Sequence, residues 1–248
     1  MPARLALLLF AALMLALAPR PAAADPLTAD VSSHLIAITT GFTGSDVVLF
    51  GATDGPGDVV VLVRGPEGLA TVRRKGRVAG FWMNVQSVRF ERVPAYYAIA
   101  TTRDIETFTS PTLRLREQFG TSALRFDARR ERSPETIELF RDALVRSKTD
   151  EGLFVTEAGQ VRFLGERLFR TNIRFPANVP TGTYTVDVFL VRDGEVVAAQ
   201  ATPLVVSKIG VGADMADIAH RYAAIYGIIA VLVAGMAGWL AGIIFRRN

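Results

Sequence analysis

The chain has 248 residues, a formal charge of +4, half of its residues apolar, two histidines and no cysteine. The missing thiols exclude disulfides, thiolate catalysis, thiolate metal sites, iron–sulfur clusters and c-type haem attachment. The basic excess is terminal: without Arg4, Arg20, Arg246 and Arg247, residues 25–222 hold 24 of the 28 Lys and Arg against all 24 Asp and Glu, so charge gives no support for nucleic-acid binding.

In chain order, Arg4 precedes the uncharged run Leu5–Ala18. That length suits the apolar core of an export signal and is short for a membrane span. Pro19, Arg20 and Pro21 break the run, and Ala22–Ala24 supplies small residues for cleavage. Residues 1–24 are therefore read as a signal peptide with Asp25 as the mature start; the alternative is an uncleaved anchor.

The first half of the mature chain predicts strands at 35–40, 46–51 and 58–64, separated by Gly41 with Thr43-Gly44, by Asp54-Gly55-Pro56-Gly57 and by Gly65-Pro66-Glu67-Gly68. Further strands are predicted at 70–75, 78–84, 87–91 and 96–102. A turn roughly every ten residues suggests a sandwich or barrel. The period then changes. Ser110-Pro111 and Ser133-Pro134 each read as a helix N-cap followed by proline in the first turn. Ile137, Phe140 and Leu144 share one face of a helix expected over 134–147, and Gly120 is expected to stop the shorter helix before it. Strands resume with Phe169, Thr171, Ile173 and Phe175 alternating with polar residues. Tyr184, Val186, Val188 and Leu190 line one face of the next, Arg192-Asp193-Gly194-Glu195 signals a hairpin, and strands at 196–201 and 204–206 close the set. The Pro-x-Gly-x-Tyr pattern at 180–184 is like the late strands of immunoglobulin-like sandwiches. The expected fold class is mainly β: one immunoglobulin-like β-sandwich over 25–207 with a helical insert at about 110–148, plus one C-terminal transmembrane α-helix. Two small β domains are the alternative.

Residues 208–222 are expected to link that domain to the membrane, as a linker or helix. Ala223–Phe245 carries no charge, and at helical rise its 23 residues cover about 34 Å, enough to cross the hydrocarbon core. Tyr222, Tyr226 and Trp239 sit near its ends, where amphipathic rings favour the interface. Arg246-Arg247-Asn248 follows as a cytoplasmic tail, since paired arginines beside a span stay inside. The expected localisation is the bacterial inner membrane, single-pass, with the N-terminal domain in the periplasm.

Several strings carry a family likeness when taken as a set: Thr39-Thr40-Gly41-Phe42-Thr43-Gly44, Phe50-Gly51-Ala52, Val63-Arg64-Gly65-Pro66, Val72-Arg73-Arg74-Lys75 running into Gly80-Phe81-Trp82-Met83-Asn84, Val93-Pro94-Ala95-Tyr96-Tyr97-Ala98, Lys208-Ile209-Gly210, Tyr226-Gly227 and Phe245-Arg246-Arg247. Together they resemble the alphaproteobacterial putative transmembrane protein family, a family of uncharacterised single-pass proteins. The resemblance covers nearly all of the mature chain and implies an inner-membrane-anchored protein. It also implies a transport accessory, since such proteins are often encoded beside sulfite-exporter-type permeases.

No catalytic constellation stands out, and the chain is read as no enzyme and as needing no cofactor. His34 and His220 have no neighbouring ligand set for a metal. No nucleophile-elbow motif supports a Ser–His–Asp triad. Asp104/Glu106 and Asp150/Glu151 are read as surface charges. Phe81, Trp82, Tyr96 and Tyr97 are read as core residues, with a ligand groove as the alternative. Residues 60–132 carry 14 basic and seven acidic groups. Arg73, Arg74, Lys75 and Arg77 form a candidate anion or lipid-headgroup contact, with a solvated loop or edge strand as the bland reading. Within the apolar tail, Ala230, Ala234, Gly238 and Gly242 recur every four residues and form a candidate helix-packing face, either for another copy or for a multi-span permease. The leading functional expectation is a non-enzymatic accessory or partner-binding subunit of an inner-membrane transporter. An anion- or envelope-polymer-binding module and a hydrolase with an unrecognised site are the alternatives.

Overall fold

In the computed structural model, residues 25–128, 133–209 and 223–245 are described. The expected signal peptide, most of the expected linker (residues 210–222) and the tail after residue 245 lie outside the described residues.

The strands are β1 (Leu27–Val31), β2 (Leu35–Ile38), β3 (Gly44–Thr53), β4 (Asp58–Arg64), β5 (Glu67–Val78), β6 (Phe81–Pro94), β7 (Tyr97–Thr101), β8 (Asp127–Ala128), β9 (Gly159–Gln160), β10 (Arg162–Leu164), β11 (Leu168–Pro176), β12 (Gly182–Arg192) and β13 (Glu195–Lys208). The helices are α1 (Pro111–Glu117), α2 (Pro134–Asp150) and α3 (Ala223–Phe245). The protein is mainly β. A four-stranded sheet runs β1-β3-β11-β10, and a six-stranded sheet runs β2-β13-β12-β4-β7-β9. A third sheet, β5-β6-β8, is a long hairpin with a two-residue strand beside it.

Strand β4 explains the layering. Val59, Val60, Val61, Leu62 and Val63 are all buried. Side chains alternate across a strand, so an unbroken apolar run needs cover on both faces. Val59, Val61 and Val63 enter a cluster with Leu49, Phe169, Phe175 and Tyr184, between the four- and six-stranded sheets. Val60 and Leu62 enter a second cluster with Phe90, Tyr97, Phe119, Phe140 and Leu144, under the helices and the hairpin base. β12 repeats the pattern: Tyr184, Val186, Val188 and Leu190 face the first cluster, Phe189 and Val191 the second. Two sheets thus pack face to face, with helices on the far side of the larger one.

Several predicted elements change form. Leu27–Val31 was not expected as a strand, but its alternation of buried and exposed residues and its pairing with β3 make it one. The predicted strands at 196–201 and 204–206 are a single strand, β13. Pro203 is tolerated inside it because β2 joins β13 only from Val205 to Lys208, leaving the strand unpaired on that side. α2 runs to Asp150, three residues past expectation, with Pro134 in the first turn and Ser133 Oγ accepting from Thr136 N. α1 ends at Glu117, short of the expected stop at Gly120: Gln118 takes the left-handed cap at φ 59°. The largest change lies in the segment 67–94, where three predicted strands are two long ones.

Helix α3 stands apart from this packing. Its described large apolar side chains, from Ile228 through Val231, Leu232, Val233, Met236 and Trp239 to Leu240, are all more than half exposed. Side chains are described for residues 227, 228 and 231–242 only. Over the described residues no helix is long and apolar enough to cross a membrane. The transmembrane expectation therefore rests on the uncharged sequence of residues 223–245.

Candidate functional site

The hairpin begins as a continuation of the central sheet. β4 and β7 pair up to Arg64 and Tyr97. Gly65 N then donates to Tyr96 O at 2.8 Å, and Ala95 N donates to Pro66 O at 2.9 Å. Glu67 pairs with Pro94, and β5 and β6 continue from there. One two-stranded ribbon therefore runs out of the six-stranded sheet. A side chain at residue 65 would not fit: a Cβ would lie 2.8 Å from Tyr96 N and 3.0 Å from the Tyr184 ring. The ribbon turns at Ala79 and Gly80, with φ of 49° and 88°. Positive φ at both central residues is the type I′ geometry, whose twist matches antiparallel strands. The sequence reading carried a strand through this point because Ala-Gly is a weaker turn signal than Asn-Gly.

The ribbon has a packed base and a bare end. Val88, Phe90 and Val93 are buried in the second cluster. From Arg73 to Ser87 no residue is buried. At the end Phe81 is 74%, Trp82 72% and Met83 55% exposed, with Val78 and Val85 also exposed. Of the aromatic four expected in the core or a groove, Tyr96 and Tyr97 are core and Phe81 and Trp82 are not.

The candidate cations lie on this bare segment. Arg73, Arg74, Lys75 and Arg77 lie along β5, where the ladder to β6 is irregular between Arg74 and Lys75. Arg77 stands opposite Trp82 in the ladder, and its Nε donates to Gly80 O at 3.2 Å. Among the described residues, Arg73, Arg74, Lys75 and Arg89 have no carboxylate partner, and residues 72–90 hold five cations and no acid. Arg73, Arg74 and Arg146 also line an apolar-floored cleft of about 390 Å³ between β5 and α2, with Leu139, Phe140 and Ala143. Sequence reasoning found the cations and missed the apolar end beside them. The available signal was Val78 and Phe81 flanking a small-residue–glycine pair.

The other candidate groups lie elsewhere on the β body. His34 Nε2 lies 3.0 Å from Asp30 Oδ1, with both side chains more than half exposed. The nearby Ser33 Oγ donates to Leu35 O, and Ser32 Oγ accepts from Val48 N. None of the described clefts is lined by His34. Asp104 caps a short turn through Glu106 N, and Glu106 pairs with Arg114 at 2.7 Å. Glu151 pairs with Lys148 at 3.5 Å. Among the described residues no three His, Cys, Asp or Glu side chains group to hold a metal. Between the two large sheets a cleft of about 200 Å³ is walled by Val61, Tyr96 and Ile173, with Glu157, Asn172 and Arg174 among its lining residues. It is smaller than the roughly 300 Å³ at which small-molecule pockets begin. The phenols of Tyr96, Tyr97 and Tyr184 are held well above their ordinary pKa, chiefly by burial.

A protein-family model described as Putative transmembrane protein matches residues 26–247. The chain belongs to that family. No curated protein and no solved structure matches it. In this member of the transmembrane-protein family, Ala234, Gly238 and Gly242 lie exposed on α3, and a Cβ on either glycine would meet nothing within 4 Å. The side chain of Ala230, the fourth residue of that face, lies outside the described residues.

Proposed function

We propose that this protein is a bilayer-anchored, non-enzymatic accessory whose β body works in the periplasm beside an inner-membrane transporter. The observation that carries the reading is α3: 23 uncharged helical residues whose described apolar side chains point outward in every direction. A helix apolar all round finds cover only in a large protein interior or in lipid. None of its described side chains is covered by protein. In lipid every backbone amide must be bonded within the segment, which a helix satisfies. The export-signal pattern of residues 1–24 and the terminal Arg246-Arg247 support an N-out, C-in orientation. The Pro180–Tyr184 corner supports the immunoglobulin-like label, because Tyr184 Oη donates to Pro180 O at 2.6 Å, the geometry of a tyrosine corner.

The free Ala234–Gly238–Gly242 face gives α3 a place to meet a permease helix or a second copy. Carbonate washing of membranes and protease treatment of spheroplasts test the anchor. The protein should stay with the membrane, and the β body should be digested from outside. Release by carbonate, or a protected β body, refutes the reading. Recovery of a co-purifying permease from detergent should fall several-fold in Gly238→Leu/Gly242→Leu; undiminished recovery removes the helix face from the account.

A second reading, an anion- or envelope-polymer-binding module, is favoured by the exposure of Arg73, Arg74 and Lys75 without carboxylate partners. Its test is binding of a soluble polyanion that weakens with salt and with loss of those charges.

A further inference from the structure

We infer that the β5–β6 hairpin is a second membrane contact, an arm whose apolar end enters the interface of the same bilayer that holds α3, with its cations on anionic headgroups. The inference rests on the anchored reading above and assigns the ligand of the cationic segment.

Three observations converge. The first is composition by position. Phe81, Trp82, Met83, Val78 and Val85 are exposed toward the end of the arm, with Arg77 level with Trp82 and with Lys75, Arg74 and Arg73 further back along β5. An aromatic and apolar end with cations beside and behind it matches a bilayer interface, where rings sit at headgroup level and basic groups meet lipid phosphate. An exposed apolar patch that ends in water gains nothing from such an arrangement.

The second is direction. β13 is antiparallel to β12, and β12 is antiparallel to β4, so β13 and β4 run the same way. Arg64 aligns with Thr185, and Gly182 with Val206. The arm continues from Arg64, and the chain leaves for α3 after Lys208, at the same end of the sheet. The end of the β body that faces the tether is thus the end that carries the arm.

The third is reach. The bare part of β5, Arg73 to Val78, is six residues, about 20 Å of extended strand. The 13 residues 210–222 can span at most about 45 Å. The tether is long enough for the arm to stand between the sheet and the bilayer, and short enough to keep its end at the surface.

The protein has two tryptophans, Trp82 on the arm and Trp239 in α3, so each can report alone. Full-length Trp239→Phe and Trp82→Phe proteins are reconstituted in phosphatidylcholine vesicles with and without phosphatidylglycerol. Acyl-brominated lipid and aqueous iodide serve as quenchers. In the Trp239→Phe protein, Trp82 emission should shift to the blue, quench with brominated lipid and become several-fold less accessible to iodide. The effect should be stronger with phosphatidylglycerol and should weaken in Arg73→Gln/Arg74→Gln/Lys75→Gln. Solvent-like, iodide-accessible Trp82 emission in both vesicles overturns the inference. So does shielding from iodide without lipid quenching, which would mark contact with a second copy, and so does shielding by a soluble anionic polysaccharide alone. In the Trp82→Phe protein, Trp239 should quench with brominated lipid whatever the arm does. Its failure to do so would overturn the anchored reading instead.

Discussion

Tyr96 and Tyr97 are adjacent in sequence and belong to different cores. Tyr96 stacks on Phe175 with ring centroids 5.2 Å apart and donates to Arg174 O; Tyr97 meets Phe154 and donates to Gln118 O. Tyr97 Oη also accepts from Gly120 N at 2.7 Å. Tyr97→Phe leaves two half-buried backbone groups, Gln118 O and Gly120 N, without that partner and should cost about 1–2 kcal/mol, read as a fall in the denaturation midpoint. The raised phenol pKa values set a pH dependence. The folded state holds its protons where the unfolded chain releases them above about pH 10. Stability is therefore full below the unfolded pKa and is lost as pH rises above it, by about 1.4 kcal/mol per pH unit for each of Tyr96 and Tyr97. Denaturation measured on either side of pH 10 should show that slope, and Tyr96→Phe should remove one share of it. Arg64 is paired with Asp187 at 2.6 Å, with the carboxylate side chain only 12% exposed. Asp187→Ala strands the guanidinium and should cost about 2 kcal/mol, lowering the melting temperature by about 4–8 °C. Alternation made the facing of Tyr184, Val186, Val188 and Leu190 legible from sequence. The partner of Arg64 was not legible, because a pair 123 residues apart is set by strand order.

Among the elements, the arm departs furthest from the sequence reading. Hydrophobic spacing cannot separate a strand that crosses Ala79-Gly80 from two strands that turn there. What decides is the cross-strand ladder: Val78 pairs with Phe81 and Arg77 with Trp82. Asn-Gly is the favoured pair for this turn, so Ala79→Asn should hold the arm closed more firmly. Trypsin cleavage after Arg74, Lys75 and Arg77 should slow several-fold, while the global melting temperature stays put because local opening precedes global unfolding. Ala79→Pro, with φ fixed near −65°, should speed that cleavage. The helices were more legible. Ser110 and Ser133 cap as their types predict, and Phe140 and Leu144 are the buried residues of α2. Their ends shifted because the last turns answer to contacts beyond the helix. Leu153 and Phe154 amides both donate to Lys148 O at the end of α2.

Taken whole, the β body is two apolar clusters sharing one sheet. Leu49→Ala opens the inter-sheet cluster and Leu62→Ala the cluster beneath the helices, each at about 3 kcal/mol. Because β4 and β12 belong to both clusters, each variant should move one common unfolding transition in calorimetry. Two separate transitions would mean two domains rather than one sandwich carrying an insert.

The sequence by itself determined what is local: an uncharged stretch long enough to cross lipid, strand faces read from alternation, helix starts read from caps, and family membership. These follow from solvation and from backbone geometry within a few residues. Only the tertiary structure decided that Phe81 and Trp82 are bare while Tyr96 and Tyr97 are covered, that Arg89 joins the four candidate cations on one arm, and that this arm leaves the sheet where the chain departs for α3. Those facts depend on which strands pair and in what register, and pairing is fixed by contacts between residues far apart in the chain.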